Sequence, residues 1–141
     1  MENVHLNWAA YAVVVVAQMV IGYLWFHPAV MGKMWAKANG STIEAMQPKN
    51  PGMVYGFTIL YTLLNTMFLM VQVVGPGQED VQFHTVKHGL FHAVLFTAMV
   101  VLPVLGSPAL HEGKSKTWML VQVGYWFVRV SVAMAILSAW R

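Results

Sequence analysis

Two sets of residues in this 141-residue sequence have the types and spacing for chemistry. The first is a lone cation. Arg129 stands at the middle of WMLVQVGYWFVRVSVAMAILSAW, Trp118 to Trp140, which is apolar almost throughout and long enough to cross a bilayer. An arginine at that depth costs about 2.5–3.5 kcal/mol on insertion scales, so something must answer its charge. Its forked donors suit a substrate anion, a lipid phosphate or a partner subunit's acid. The second set is His84, His88 and His92 in FHTVKHGLFHAVLF. Their spacing of four predicts a ladder down one helix face. Imidazoles so placed can hydrogen-bond across an interface without a ligand, carry protons at modest acidity, or hold a metal. An i, i+4 pair, His84 with His88 or His88 with His92, can share one ion. All three cannot, because His84 and His92 are about 12 Å apart along a helix axis. A fuller site would draw on His5, Met67 and Met70, a donor set for copper(I) more than zinc.

These residues need a scaffold, and composition says which kind. The chain is 58% hydrophobic and 9% charged, against about a quarter charged in soluble domains. It has no cysteine, which removes disulfides, thiolate metal sites and cysteine nucleophiles. A scattered net charge of +3 does not suit nucleic acid and reads instead as topology information. The start MENVHLNW has an acid where a secretory signal has basic residues, and the apolar run after it exceeds a signal's core. That run is read as a retained helix.

The sequence predicts an all-α, membrane-embedded bundle of four transmembrane helices in a single domain, 1–141. The spans are about 7–30, 53–74, 84–104 and 117–140. Pro51–Gly52, Gly75–Pro76–Gly77 and Ser107–Pro108 are the expected helix stops, with Pro28 and Pro103 near helix ends. Loop one carries Lys33, Lys37 and Lys49 against Glu44, and loop three Lys114 and Lys116 against Glu112; loop two has Glu79 and Asp80 before any base. Positive-inside bias puts loops one and three in the cytoplasm and both termini outside, with only Arg141 arguing otherwise. His27, at the cytoplasmic end of the first span, is expected to serve that helix's C-terminus.

Depth counted from the membrane entries gathers a polar belt. Arg129 lies about 18 Å in, Asn65 is at a similar height, and Gln18 is about 16 Å from the outer side. Every acid lies in a tail or a loop. The amides of Gln18 and Asn65 are therefore the expected acceptors for the guanidinium, at about 0.6–2 kcal/mol per bond. Tyr125 and Trp126, at i−4 and i−3, are placed for cation–π contact. Such a belt can be a structural clasp across helices, or a receptor for an anion.

The opening NWAAYAVVVVAQMVIGYLWFHPAVMGKMWAKANG resembles the start of a widespread bacterial family of small membrane proteins catalogued as a domain of unknown function. Its members open with Asn-Trp, run to Gly-x-x-Trp-(Tyr/Phe)-x-Pro and continue with Gly-Lys-x-Trp. Asn7, Trp8, Gly22, Trp25, Phe26, Pro28, Gly32, Lys33 and Trp35 fall on that pattern. Gly124, Tyr125 and Ala135 to Leu137 match the last helix. The resemblance implies four transmembrane helices in the bacterial inner (cytoplasmic) membrane, and no activity.

No nucleophile–base set, phosphate loop or intramembrane carboxylate pair is legible, which argues against an enzyme. Two functions remain, and the intramembrane cation favours the first. One is binding or transport of a small anionic or protonatable ligand at the polar site around Arg129. The other is a non-catalytic accessory or assembly subunit of a larger membrane complex. The small-residue stripe Thr85, Gly89, Ala93 and Thr97, with Ser131, Ala135 and Ala139, offers surfaces for a homo-oligomer or a partner membrane subunit.

Overall fold

The computed structural model describes residues 6–75, 77–78 and 80–140. Among these residues it has four helical segments long and apolar enough to cross a membrane: Trp8–Trp25, Pro51–Val74, Val86–His111 and Lys116–Ala139. Polarity is inverted relative to a water-soluble bundle. Tyr23, Leu64, Phe68, Phe91, Met99 and Leu120 are exposed, while Gln18, Thr62, Thr66, Arg129 and Ser138 are buried. That distribution fits hydrocarbon outside and hydrogen bonding inside.

Helix α1 (Trp8–Trp25) starts at Asn7, whose Oδ1 accepts from the Ala9 and Ala10 amides at 3.0 Å each. It stops at Trp25, five residues short of the expected Val30. The cause is Pro28, which disfavours helical backbone at the residue before it; His27 is extended at φ −66°, ψ 141°. A single π turn, Pro28–Gly32, follows and leads into α2 (Lys33–Ala38) in what was expected to be loop. His27 does not serve the end of α1. Its Nδ1 accepts from the Ala29 amide at 3.2 Å and caps the next turn.

Pro51 and Gly52 open α3 (Pro51–Val74) where a stop was expected. Proline at the first helical position lacks only an N–H that has no partner there anyway, and Asn50 Oδ1 accepts from the Met53 amide at 3.1 Å. The third span also differs from expectation. It comprises α4 (Val86–Phe96), a π segment Thr97–Val101 and α5 (Leu102–His111). The Leu102 amide donates to the Thr97 carbonyl, one residue further back than in an α-helix. This wider turn lies just where the Pro103 ring would otherwise press on the preceding turn. Helix therefore continues past 104, with Pro108 inside α5, and ends where Gly113 turns left-handed at φ 64°. The Lys114 amide closes that end on the Ala109 carbonyl at 2.9 Å.

Helix α6 (Lys116–Ala139), capped by Ser115, is the centre of the bundle and packs against α1, α3, α4 and α5. The tightest approach is to α4: a Cβ on Gly89 would sit 2.2 Å from the Met134 carbonyl oxygen. Ala93 and Thr97 are buried in the same stripe. The small residues expected to offer an oligomer surface are thus used, at Gly89, within the chain. Val14, Leu69, Met70, Val73, Val130, Met134 and Leu137 complete the core.

Candidate functional site: a buried arginine held by three helices

Arg129 comes from the middle of α6 and is 6% exposed. Its Nε–H donates to Gln18 Oε1 on α1 at 2.5 Å. One terminal nitrogen donates to the Tyr125 hydroxyl at 2.7 Å, and the other to Thr62 Oγ1 on α3 at 2.8 Å. The guanidinium carbon lies 5.7 Å from the Tyr125 ring centroid and 5.2 Å from that of Trp126. Both aromatic residues thus meet the charge as their i−4 and i−3 spacing led one to expect.

A second layer orients the first. Gln18 is 1% exposed, and its Nε2 donates to Thr66 Oγ1 at 2.5 Å, which fixes Oε1 toward the guanidinium. Thr62 and Thr66 donate their own hydroxyl protons back to the Thr58 and Thr62 carbonyls at 2.7 and 2.8 Å. Their lone pairs are left to accept from Arg129 and Gln18. Among the described residues no carboxylate touches the guanidinium, so the charge is solvated by neutral dipoles and ring faces. Three of its five N–H groups are engaged, one on each nitrogen.

Sequence reasoning named Gln18, Tyr125 and Trp126, and the structure brings all three to Arg129. Asn65 does not join them: its side-chain oxygen is buried without a hydrogen-bond partner among the described residues. Thr62, one turn earlier on α3, takes that place. The missed signal was the hydroxyl stripe Thr58, Thr62, Thr66 at intervals of four, which a reading centred on amides passed over.

Tyr125 links this centre to the α1–α2 corner. Its ring lies 5.0 Å from Phe26 and 6.4 Å from Trp25, and Phe26 meets Trp35 at 5.0 Å. Trp25 Nε1 donates to the Val121 carbonyl at 3.1 Å. Glycines allow the approach: a Cβ at Gly22 would lie 3.2 Å from the Tyr125 hydroxyl, and one at Gly124 3.2 Å from the Trp25 ring. Tyr125→Phe is expected to lower stability by about 1–2 kcal/mol, the worth of one hydrogen bond to a charged group in a membrane core. Gly22→Ala should cost less in the Tyr125→Phe background than alone. Melting temperatures of the four proteins in one detergent check both statements.

A family model described as "Protein of unknown function (DUF1761)" matches residues 9–138. The chain belongs to this family. Gly22, Trp25, Phe26, Gly124 and Tyr125, which carried the resemblance in the sequence, are thus neighbours around one partner of Arg129 in this DUF1761 member. No curated protein and no solved structure matches the chain.

The histidines form a smaller group than the spacing implied. His88 and His92 stack edge to face with centroids 4.5 Å apart, and Phe83 and Phe91 flank them at 4.8 and 5.7 Å. His84 lies off the helix, at the end of a short 3-10 turn, Val81–Phe83, while Thr85 caps α4. The ladder thus has two rungs on α4, not three. Met70 is buried in the core and Met67 is half-buried; His5 lies outside the described residues. Among the described residues no group of three or more His, Asp or Glu could hold a metal ion.

Proposed function

We propose that this DUF1761 protein is a non-catalytic accessory or assembly subunit, a rigid multi-pass scaffold whose work is done at its surfaces. The observation that supports this is the state of Arg129: all three guanidinium nitrogens are engaged by the chain's own neutral groups. A cation so clasped fastens α1, α3 and α6 rather than presenting itself to a guest. In this reading the membrane is a bacterial inner membrane, and positive-inside bias supports α2 and the lysine-bearing loops on the cytoplasmic side with both termini outside.

One observation favours a second reading. The clasp contains no anion among the described residues, so a net positive charge remains, with two N–H groups still to donate. A small anion approaching those donors would turn the clasp into a receptor, alone or in a homo-oligomer.

Extraction from the host membrane in a mild detergent, followed by native mass spectrometry, separates the two. The subunit reading expects the 15.8 kDa chain in fixed stoichiometry with a different membrane protein, and the same complex in Arg129→Met. A homo-oligomer or monomer carrying a small anion that Arg129→Met loses would replace it with the receptor reading.

A further inference from the structure

A groove of about 430 Å³ runs between α5 and the start of α6. Its walls are apolar, with Leu102, Pro103, Gly106 and Met119, and its mouth carries His111 and Lys114. Two features of the sequence open it. Gly106 has no side chain to fill the space before Met119, whose Cε lies 3.5 Å from where a Cβ would sit. Pro103 follows the π segment and adds no long side chain. From Leu102 to His111 the helix rises about 14 Å, close to half of a hydrocarbon core of about 30 Å. The groove therefore has the depth of one leaflet, with its polar end where the chain leaves the membrane.

The net charge at that end is positive. Loops one and three carry Lys33, Lys37, Lys49, Lys114 and Lys116 against Glu44 and Glu112, so the difference is 5 − 2 = +3. At the other end the described charges are Lys87 and Asp80, which cancel. Trp118 Nε1 donates to Asn39 Oδ1 at 3.3 Å and joins the start of α6 to the end of α2, which carries Lys33 and Lys37. His111 Nδ1–H donates to the Ser107 carbonyl at 2.8 Å, which orients the ring. Lys114 pairs with Glu112 at 3.3 Å. Their side chains are 32% and 60% exposed, so this pair is weak and open to exchange.

We propose that this groove is a binding site for a phospholipid with a net-negative headgroup, one acyl chain lying along α5 and the phosphate at Lys114 and His111. An apolar slot alone would take any acyl chain. The basic rim supplies the choice, because it attracts an anionic headgroup and repels the cation of a choline. The proposal rests on the chain residing in a membrane and is independent of the subunit reading.

The full chain in neutral detergent is titrated with phosphatidylglycerol, phosphatidylcholine and inorganic phosphate, and retained adducts are counted by native mass spectrometry. Wild type is expected to keep one phosphatidylglycerol and to prefer it over phosphatidylcholine by about fivefold, the worth of the Lys114 charge at the mouth. K114Q with H111Q should bring the preference close to parity. S107F, which places a ring at the groove wall, should lose both lipids while its lipid-free melting temperature holds. E112Q, at an exposed position that leaves the fold intact, should raise the preference by freeing Lys114. Parity between the two lipids in wild type overturns the proposal, as does an unaltered preference in E112Q. Displacement of phosphatidylglycerol by inorganic phosphate also overturns it, since the rim would then bind free anions without the groove.

Discussion

Gln18→Leu is expected to destabilise the bundle by about 2–4 kcal/mol, and Arg129→Met by less. The order follows from which group is left stranded. Removing Gln18 takes an acceptor from a guanidinium that is 6% exposed, and an under-solvated buried charge is the costlier fault. Removing Arg129 deletes the insertion cost of about 2.5–3.5 kcal/mol together with its hydrogen bonds, and leaves behind only neutral groups. Of these, Gln18 still has Thr66, and Thr62 still has the Thr58 carbonyl. Replacing the set together, Gln18→Leu with Thr62→Val and Arg129→Met, should return stability to within about 1 kcal/mol of wild type, as for other buried ionic groups exchanged for apolar ones. Unfolding titrations in mixed micelles measure all four proteins. If Arg129→Met proves the most damaging and the triple variant is no better, the cation itself holds the bundle together, and the clasp account fails.

The second large effect lies away from the cation. Gly89→Ala should cost about 3 kcal/mol or more, the upper end for overpacked cores. The added methyl would meet the Met134 carbonyl oxygen at 2.2 Å, its carbon at 2.6 Å and the Ala135 nitrogen at 2.8 Å. These are backbone atoms, so no side chain can swing aside, and α4 must move off α6. Gly56→Ala is the matched control: nothing lies within 4 Å of its Cβ position on the exposed part of α3. There the better helix propensity of alanine, about 1 kcal/mol, should leave stability equal or raised. A melting temperature for Gly89→Ala as high as that of Gly56→Ala would show that α4 and α6 are not in this contact.

Gly89 and Arg129 mark different degrees of legibility. Arg129 announced itself, because a cation in an apolar run of membrane length has few explanations. Gly89 was read as part of a small-residue surface, but whether that surface met another copy or this chain's own α6 depends on how the helices are arranged. The same holds for α3. Asn65 and Thr62 are three residues apart, so they lie on neighbouring parts of one helix face, about 60° from each other. Only the rotation of α3 decides which one reaches the guanidinium.

Element ends divide along the same line. Asn7 and Ser115 are local caps that can be read from their own neighbours. Pro28, Pro51, Pro103 and Pro108 are not decided by residue type: proline broke α1, opened α3, and lies within the third span beside a π turn. Four long apolar runs, a membrane setting and a mid-depth cation follow from the sequence alone, because transfer from water depends on composition and length. Which hydroxyls and amide answer that cation, and which glycine bears the closest crossing, came only from the tertiary structure. Those contacts join residues dozens of positions apart, and their geometry is set by how the helices turn and tilt against one another.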